Sequence, residues 1–522
     1  MEAVNTNSLE HRYTLMQSDR EPFLKRARTA AVYTLPFLVP PQGYTGFTEL
    51  PTPYQSDGAR GVNNLASKLL LALFPPNAPF FKHVVNPYAA EAIANVPDAM
   101  DEIEKSLLKV DEAIQVELER ACLRPYLHET MKHLVVAGNA IFYIGDGKKR
   151  KPTVYHLQDY VVHRCADVVE CIIIQEMVDR DDLPQSITQT DGTQSDQPPA
   201  GQPAKVGLYT GCVYDEEEDT WEVWQEALGK ELPKSRGSFK GENFPYIVLR
   251  GEVVSGDDYG RGYVEQYLGD IMSLEGLSQA IVEGAAASAH GKFLVNPNGV
   301  TNLDDLAKSG NWEYVPGRAD DVTTLQANKF SDFQVTGSTA EKIREALAYA
   351  FLLNSAVQRN AERVTAEEIR TMIQELEQAL GGIYTLLSHE FQLPLVSLLA
   401  ARLRKRGELP KFNKRAVRPQ IVTGIEALGR GNDLNRLMTA GTVLKGLVGD
   451  QVAASVLDPT VAAKRVLTGA GVRDDGLVKD PERIAQEQQQ SQMSEAMMRA
   501  APNLVNTAGG MIQQAMAPQQ QS

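Results

Sequence analysis

The sequence predicts an α+β fold that is mainly α-helical. In residues 1–135 and again from residue 258 onward, apolar residues recur at spacings of three and four, which is the period of one helix face. Between these regions, residues 138–254 carry short apolar runs bounded by turns, which is typical of β-strands. Because 522 residues are too many for one hydrophobic core, we expect two to four structural units.

The first region contains two clear helical patterns, at residues 61–74 and 98–123. Pro75 and Pro76 end the first pattern, because proline lacks the amide hydrogen that a helix interior requires. The amino terminus contains no signal-peptide core, and apolar runs such as residues 69–74 are far shorter than the ~20 residues that cross a bilayer. We therefore expect a soluble protein with no membrane partner.

The middle region is predicted to contain a sheet. Strand-like runs occupy residues 139–145, 154–164 and 168–178, and a meander is expected at residues 206–228 around an acidic turn. Residues 189–204 are rich in glycine, proline and glutamine, so they are predicted to form a polar loop.

The helical period returns at residue 258 and predicts a helix over residues 258–290. Small residues at 284–289 suit either a crowded contact between helices or a buried helix in one subunit. A mixed insert follows at residues 291–336, with turn signals at 296–299 and 316–317. Ser338 and Glu341 form a capping box, which predicts that a second helix begins there and runs to residue 353. The apolar stripe of the first helix consists of Val264, Leu268, Ile271, Leu274, Leu277 and Ile281.

A short break at residues 354–365 contains Arg359 and Arg363. A second capping box, Thr365 with Glu368, predicts a long helix from Ala366 towards Arg404. Bends are expected at the glycine pair 381–382 and at Pro394. Further helices are predicted from Asp433 and Asp458, followed by a glutamine- and methionine-rich tail over residues 481–522.

The composition excludes several classes of function. The 67 acidic and 52 basic residues give a net charge of −15, which argues against a tight grip on nucleic acid through a basic surface. The four cysteines form no CxxC pair, so we expect a reducing cytoplasm with neither a disulfide framework nor a zinc site.

Motifs for catalysis and cofactor binding are also missing. No GxxxxGK[ST] loop occurs, and the GRG sequences at Gly260 and Gly429 lack the third glycine of a dinucleotide site. His128 and His133 are five residues apart, whereas a zinc-binding HExxH helix requires four. We therefore expect neither an enzyme nor a bound cofactor or metal. The basic run at residues 147–151 is interpreted as a solvated turn or as a contact for a polyanion.

Five blocks, in this order and spacing, resemble the portal or head-to-tail connector protein of short-tailed, podovirus-type bacteriophages. They are DDYGRGYVEQYLGDIMSLEGL, LVNPNGV, LNSAVQRNAERVTAEEIR, LGGIYTLLSHEFQLPLV and TGIEALGRGNDL. Two blocks nearer the amino terminus, EHRYTLMQSDREPFLKRAR and GARGVNNLASKLLLALFPP, also look like that family.

The resemblance implies a portal fold assembled as a ring, usually of twelve subunits, at one vertex of the virion. Its parts would be a wing of helical and sheet-containing segments, a two-helix stem, a clip between the stem helices, a channel loop, a long wing helix with a return segment, and a crown. In this sequence they correspond to residues 1–257 (wing), 258–290 and 337–353 (stem), 291–336 (clip), 354–365 (channel loop), 366–424 (long helix and return) and 425–480 (crown), with 481–522 as the tail.

The implied partners are other copies of the chain, the terminase large subunit that drives packaging, the tail adaptor, and capsid and scaffolding proteins, with internal core proteins as a further possibility. Double-stranded DNA would pass through the channel without sequence specificity, and assembly would take place in the host cytoplasm. Another oligomeric virion protein, such as a tail-tube or internal core component, is the alternative. A nucleic-acid-processing enzyme with a dispersed site is disfavoured by the acidic charge.

Cationic residues near the predicted channel are the candidates for contact with DNA. They are Arg359 and Arg363 in the break, and Lys342 and Arg344 on the second stem helix. The opposing interpretation is that these side chains pair with neighbouring glutamates such as Glu341, Glu345, Glu362 and Glu367.

Overall fold

The computed structural model describes residues 8–421, apart from 76–78, 87, 90–98, 146–150, 185–186, 188–204, 290–291, 311–312, 326–329, 354–375, 377–379, 381–382 and 411–415. The chain divides into two compact units, Met1–Gly424 and Ile425–Ser522. The second unit lies outside the described residues. So do the polar loop 189–204, the capping box at Thr365 and the predicted helices from Asp433 and Asp458.

The helices of the described part confirm most of the helical patterns. They are α1 (Leu9–Val32), α2 (Asp57–Leu73), α3 (Ala99–Arg120), α4 (Arg124–Ala137), α5 (Tyr263–Gln266), α6 (Leu268–Ala289), α7 (Leu303–Lys308), α8 (Phe330–Ala350), α9 (Ile383–Leu387) and α10 (Leu393–Arg406).

The strands confirm the sheet-containing middle region. They are β1 (Phe81–Val85), β2 (Asn139–Tyr143), β3 (Thr153–His156), β4 (Tyr160–Cys165), β5 (Val168–Asp179), β6 (Lys205–Asp215), β7 (Thr220–Ala227), β8 (Lys230–Glu231), β9 (Gly237–Lys240), β10 (Tyr246–Arg250), β11 (Lys292–Val295), β12 (Val322–Leu325) and β13 (Val417–Ile421). The main sheet has the order β4-β5-β6-β7-β8, with β9 also paired to β7. Smaller sheets have the orders β10-β2-β3, β1-β13 and β11-β12.

Both faces of the main sheet are covered, which explains the continuous apolar run in β5. Ile172 and Ile174 point into the principal core of the unit. The alternate residues Cys171 and Ile173 pack in a second cluster under Leu9 of α1. Because successive side chains of a strand point to opposite faces, a strand buried on both sides needs apolar residues at every position.

α1 is fixed to the sheet by the buried Arg20. Its Nη1 atom donates to Tyr13 Oη at 2.8 Å, to the Gln158 carbonyl at 2.7 Å and to the Tyr160 carbonyl at 2.9 Å. Charged donors make stronger hydrogen bonds than neutral ones, so these three acceptors offset part of the loss of water around the guanidinium, whose buried Nε has no hydrogen-bond partner among the described residues.

Near Pro394, where a bend was predicted, the helix contains a π-helical turn. Helix α9 continues through this turn, Ser388–Gln392, directly into α10. The wider turn comes immediately before the proline, whose ring and missing amide hydrogen do not fit a regular helix interior. On the inner side, Tyr384 Oη donates to the Ala72 carbonyl at 3.2 Å, and the Gln392 amide donates to the Leu73 carbonyl.

Two predicted helix starts differ from the structure. Ser338 and Glu341 do not begin a helix, because α8 already begins at Phe330 and runs through them. The Ser338 hydroxyl instead donates to the Val335 carbonyl within the helix at 2.9 Å. A serine hydroxyl can form such a bond to its own helix in place of a cap. The helix predicted from residue 258 begins at Tyr263, and α5 is separated from α6 by Tyr267.

The turn before α5 is held by close contact between two stretches of backbone. Asn139 Oδ1 accepts from the Gly260 amide at 2.8 Å, and Asn139 Nδ2 donates to the Gly260 carbonyl at 2.7 Å. A β-carbon on Gly262 would lie 2.2 Å from the Val136 carbonyl oxygen. The GRG sequence at Gly260 is therefore explained by close backbone packing, which only glycine permits.

We expect Gly262→Ala to destabilise the unit by about 1–3 kcal/mol or more, because the added methyl group overlaps backbone that has no room to move. The effect is steric, since Gly262 has φ −77°, which alanine adopts readily. Thermal unfolding measures it. Gly46→Ala is the matched control, because nothing lies within 4 Å of its added β-carbon. Equal melting temperatures for the two variants would contradict the packing account.

Candidate functional site

α6 and α8 lie side by side and run in opposite directions. At one end, Tyr263 Oη of α5 donates to the Ala350 carbonyl at 3.0 Å. At the other, Gly284 lies against the Phe333 ring, so closely that a β-carbon there would be 2.3 Å from it. At that end the insert begins and ends with the antiparallel strands β11 and β12, which pair with each other next to the two helices. The pair agrees with the two helices predicted on either side of the insert, whereas their assignment as a stem with a clip stays a prediction.

Within the part of the chain that the structure describes, one side of α6 is covered. Of the predicted stripe, Val264, Ile271 and Leu274 are fully buried. On other sides of the helix, Met272 and Val282 are 44% and 52% exposed. A helix that is apolar on several sides is normally covered on several sides, so α6 presents surface suited to another protein chain.

The α6–α8 pair is attached to α2 by charged groups. Arg344 of α8 donates through Nε to Asp57 Oδ2 at 3.0 Å and through Nη1 to Glu341 Oε2 at 2.8 Å. Glu275 of α6 accepts from the Tyr54 and Gln55 amides at 2.8 and 3.2 Å. The hydrogen bond to Asp57 raises the pKa of Arg344 and so stabilises its charged form.

The chain leaves α8 through a second attachment to α2. Asn64 Nδ2 donates to the Phe351 and Leu352 carbonyls, and Lys68 Nζ donates to the Leu352 carbonyl at 2.9 Å. Phe351 packs on Gly61, where a β-carbon would lie 2.7 Å from its ring. Leu352 has the left-handed φ of 55°, which turns the backbone out of the helix. These contacts satisfy carbonyl groups that a helix end leaves without partners.

The four predicted channel residues fall in different settings. Arg344 makes the two ion pairs described above, and its side chain is 43% exposed. Lys342, two residues earlier, is exposed on α8. Arg359 and Arg363 lie outside the described residues. Contact with DNA therefore remains a prediction for all four.

Sequence reasoning missed the groups that position α8. Asp57, Asn64, Lys68 and Glu275 are polar residues in or beside ordinary amphipathic segments. Asp57 and Arg344 are 287 residues apart in sequence, and no local spacing connects them. A glycine inside a helical pattern, Gly61, was the sequence feature that could have indicated a close contact there. In the structure a β-carbon at Gly61 would lie too close to the Phe351 ring.

Acidic residues predominate on the two helices. α6 contains Asp270, Glu275 and Glu283 and no lysine or arginine. α8 contains three acidic residues and only two basic ones, Lys342 and Arg344. Phosphate groups are bound mainly by lysine and arginine, so this pair of helices offers few positions for retaining DNA.

The insert is organised by Asp321. Its carboxylate accepts from the Val300 amide at 2.9 Å and from the Thr301 hydroxyl at 2.9 Å, and the hydrogen bond from Thr301 lowers the pKa of Asp321. The predicted turn at residues 296–299 is confirmed by the hydrogen bond from the Gly299 amide to the Asn296 carbonyl. Val300 is 78% exposed and Tyr314 is fully exposed, which makes the insert a candidate docking surface.

The histidines of the HETMKH sequence are not arranged as metal ligands. His128 Nε2 lies 3.2 Å from Ser67 Oγ, whereas His133 is buried and burial lowers its pKa to about 3. Within the described ranges, no group of three or more histidine, cysteine or acidic side chains is placed to hold a metal ion. A search of the same ranges for a helix long and apolar enough to cross a membrane finds none.

Comparisons with known proteins agree with the sequence blocks. The family described as "Bacteriophage head to tail connecting protein" matches residues 6–478. The chain is 37% identical over 513 residues to the portal protein of Escherichia phage T7, covering 97% of this chain and 94% of that protein. It is 36% identical over 505 residues to the portal protein of Enterobacteria phage T3, covering 95% and 92%.

Among solved structures, the neck of a native gene transfer agent particle computed with C12 symmetry is similar at 11% identity, with 79% of this chain and 89% of that chain covered. Its TM-score of 0.34 is too low to bear on the present fold. The sequence matches, by contrast, extend over almost the whole chain. The chain belongs to the bacteriophage head-to-tail connecting protein family, which includes the portal proteins of short-tailed phages.

Proposed function

We propose that this chain forms a closed ring, of twelve subunits, at one vertex of the phage head, and that the ring is a passive channel for double-stranded DNA during packaging and ejection. The observation that supports this best is the match to two portal proteins over more than nine-tenths of the chain. Those relatives are structural proteins, and this chain is likewise a non-enzymatic component of the virion.

The uncovered side of α6 is the proposed contact between subunits. Identical subunits form a ring when one surface of each meets a different surface of the next, and the ring closes when the rotation per subunit is correct. Met272 and Val282 give α6 apolar surface beyond its contact with α8. Burying such surface is the main favourable contribution to most protein association.

The acidic helix pair suits DNA that must move. Twelve copies of a chain with charge −15 give about −180, so the ring as a whole does not favour the counterion release that holds DNA on a protein. A few cations are then sufficient to centre the duplex. We assign this role to Arg359, Arg363 and the exposed Lys342, whereas Arg344 serves mainly to fix α8 on α2.

The insert is the proposed docking surface for the machinery outside the head. The terminase large subunit would bind it during packaging, and the tail adaptor would bind it afterwards. Capsid and scaffolding proteins, with internal core proteins in addition, would contact other parts of the ring. The site of action is the portal vertex of the virion, after assembly in the host cytoplasm.

The first prediction concerns the ring and its contact surface. The purified chain should form particles of about 690 kDa, twelve times the 57.3 kDa subunit, as measured by mass photometry and seen as rings in negative stain. Val282→Glu should shift this mass to the monomer, because a charge would be buried in the contact.

Val168→Glu is the matched control, since Val168 is 56% exposed on the main sheet, and it should leave the mass unchanged. A wild-type chain that stays monomeric or dimeric would refute the ring. Rings that survive Val282→Glu would refute only the assignment of α6 to the contact.

The second prediction concerns the channel arginines. Arg359→Glu combined with Arg363→Glu should leave ring mass unchanged but lower the amount of packaged or retained DNA several-fold, because the cations that centre the duplex are replaced by anions. Packaged DNA is measured by nuclease protection. Lys230→Glu combined with Lys240→Glu makes the same charge change on the exposed edge of the main sheet, and normal yield in both double variants would contradict the channel role.

The third prediction concerns the insert. Tyr314→Ala should weaken binding of the tail adaptor by about tenfold or more, because aromatic side chains commonly dominate protein interfaces. Binding is measured by surface plasmon resonance on assembled rings. Tyr88→Ala removes another highly exposed tyrosine, at a position outside the insert, and should have no effect. Unchanged adaptor affinity for Tyr314→Ala would exclude this residue from the docking surface.

A further inference from the structure

A cavity beside α4 is lined by polar groups that the proposed function does not use. It has a volume of about 310 Å³ and lies between α4, the segment that follows α1 and the end of β3. Its apolar wall includes Phe37, Leu38 and Pro125. Sites for small molecules are commonly of this size and combine apolar walls with a few polar groups. We call it the α4 cavity.

The helical period of α4 places the polar groups of the α4 cavity. His128, Glu129 and Lys132 are three or four residues apart, so they share one face of the helix. His133 lies on the side of α4 that faces β3, where the centre of its ring is 6.0 Å from that of His156. Both of these rings line the same cavity. The HETMKH sequence, whose spacing does not fit a zinc site, therefore brings an ammonium group and imidazoles to one cavity.

His133 is buried without a hydrogen-bond partner. The residue is 3% exposed, and its Nδ1 atom is closed off from solvent with no partner among the described residues. Its Nε2 atom has no partner in that part of the chain either, and it is the ring nitrogen left to reach the cavity. Burial lowers the pKa of His133 to about 3, so the ring is neutral and carries one N–H. Because buried polar groups are nearly always hydrogen-bonded, this imidazole is suited to a partner from outside the chain.

The two other imidazoles of the α4 cavity already have partners. Ser67 Oγ donates to a carbonyl of its own helix at 2.7 Å, so it accepts from His128 Nε2 at 3.2 Å. His156 Nε2 lies 3.1 Å from Asp159 Oδ2. Among the imidazoles that line the cavity, His133 is therefore the one with a donor to spare.

Lys132 supplies a cation next to His133. It is half-buried and forms no ion pair within the described ranges. Burial lowers the pKa of His128, and the charge of Lys132 lowers it further. Burial, the neighbouring His156 and then Lys132 lower the pKa of His133 in the same way, so the ammonium group lies near both rings. The acidic side chain of the lining, Glu129, is exposed, and water screens its charge.

We propose that the α4 cavity binds a small oxyanion, a carboxylate or a phosphate group, between His133 Nε2 and the ammonium group of Lys132. Both groups donate hydrogen bonds, and those between charged partners are stronger than neutral ones. A metal ion does not fit, because no three ligating side chains in the described ranges are placed to hold one. An apolar ligand would leave His133 without a partner. The inference does not depend on the ring, since both donors belong to α4 of one chain.

The test measures binding of two probe anions, inorganic phosphate and propionate, to the purified full chain by isothermal titration calorimetry. Ionic strength is held constant with KCl, so that screening does not change during the titration. The wild type should bind at least one of the anions with an affinity in the millimolar range, as expected for a ligand of so few atoms. Binding of phosphate alone identifies a phosphate site, whereas binding of propionate identifies a carboxylate site.

Two substitutions test the donors. Lys132→Met and His133→Leu should each weaken binding by about tenfold or more, because each removes one hydrogen bond to a charged group. His133→Leu should keep or raise the melting temperature, since it replaces a buried polar group that has no partner with an apolar group. His133→Gln should bind the anion more tightly than His133→Leu, because the glutamine amide can donate in place of the imidazole.

Lys230→Met is the matched control, since it removes the charge of one exposed lysine of the main sheet and should bind the anion like the wild type. Lack of saturable binding of both anions to the wild-type chain up to roughly 50 mM would overturn the proposal. Equal affinities of the wild type, Lys132→Met and His133→Leu would overturn it as well, because the anion would then lie elsewhere.

Discussion

The paired hydrogen bonds between Asn139 and the backbone of Gly260 are the contact on which the arrangement of the unit depends. Asn139 is the first residue of β2, and Gly260 belongs to the turn that leads into α5 and α6. The two backbones approach so closely that Gly138, Gly251, Gly260 and Gly262 have no room for β-carbons. The sheet-containing part and the α6–α8 pair are therefore joined at a fixed point, and the polar atoms buried there are satisfied by each other.

Secondary structure was largely predictable because its cause is local. The alternation in residues 206–228 and the helical period in residues 98–123 each depend on neighbours in sequence, and both predictions are confirmed. The start of α8 was predicted wrongly for the same reason. Ser338 and Glu341 have the spacing of a cap, but the helix around them continues, and helix boundaries depend on tertiary packing as well as on local signals.

The candidate site was predictable only in part because its contacts are long-range. The stripe on α6 indicated a packed helix, and its core residues Ile271 and Leu274 are buried as expected. The partner of Arg344 was expected among nearby glutamates; Glu341 is one partner, but Asp57 lies 287 residues away. A single sequence contains no periodicity that relates such distant positions. The family, by contrast, was identifiable because its blocks are long and keep their order.

The attachment of Phe351 and Leu352 to α2 has a mechanical consequence. A load applied to the chain beyond Leu353 reaches the Phe351 and Leu352 carbonyls first, and Asn64 and Lys68 hold these atoms. The load is therefore transmitted to α2 through these hydrogen bonds, and the carboxyl end of α8 does not have to unwind. Since α2 is packed along its length in the principal core, the load is passed from α2 to that core. The end of α8 is thus anchored on α2 at Phe351 and Leu352, which shields the register between α6 and α8 from that load.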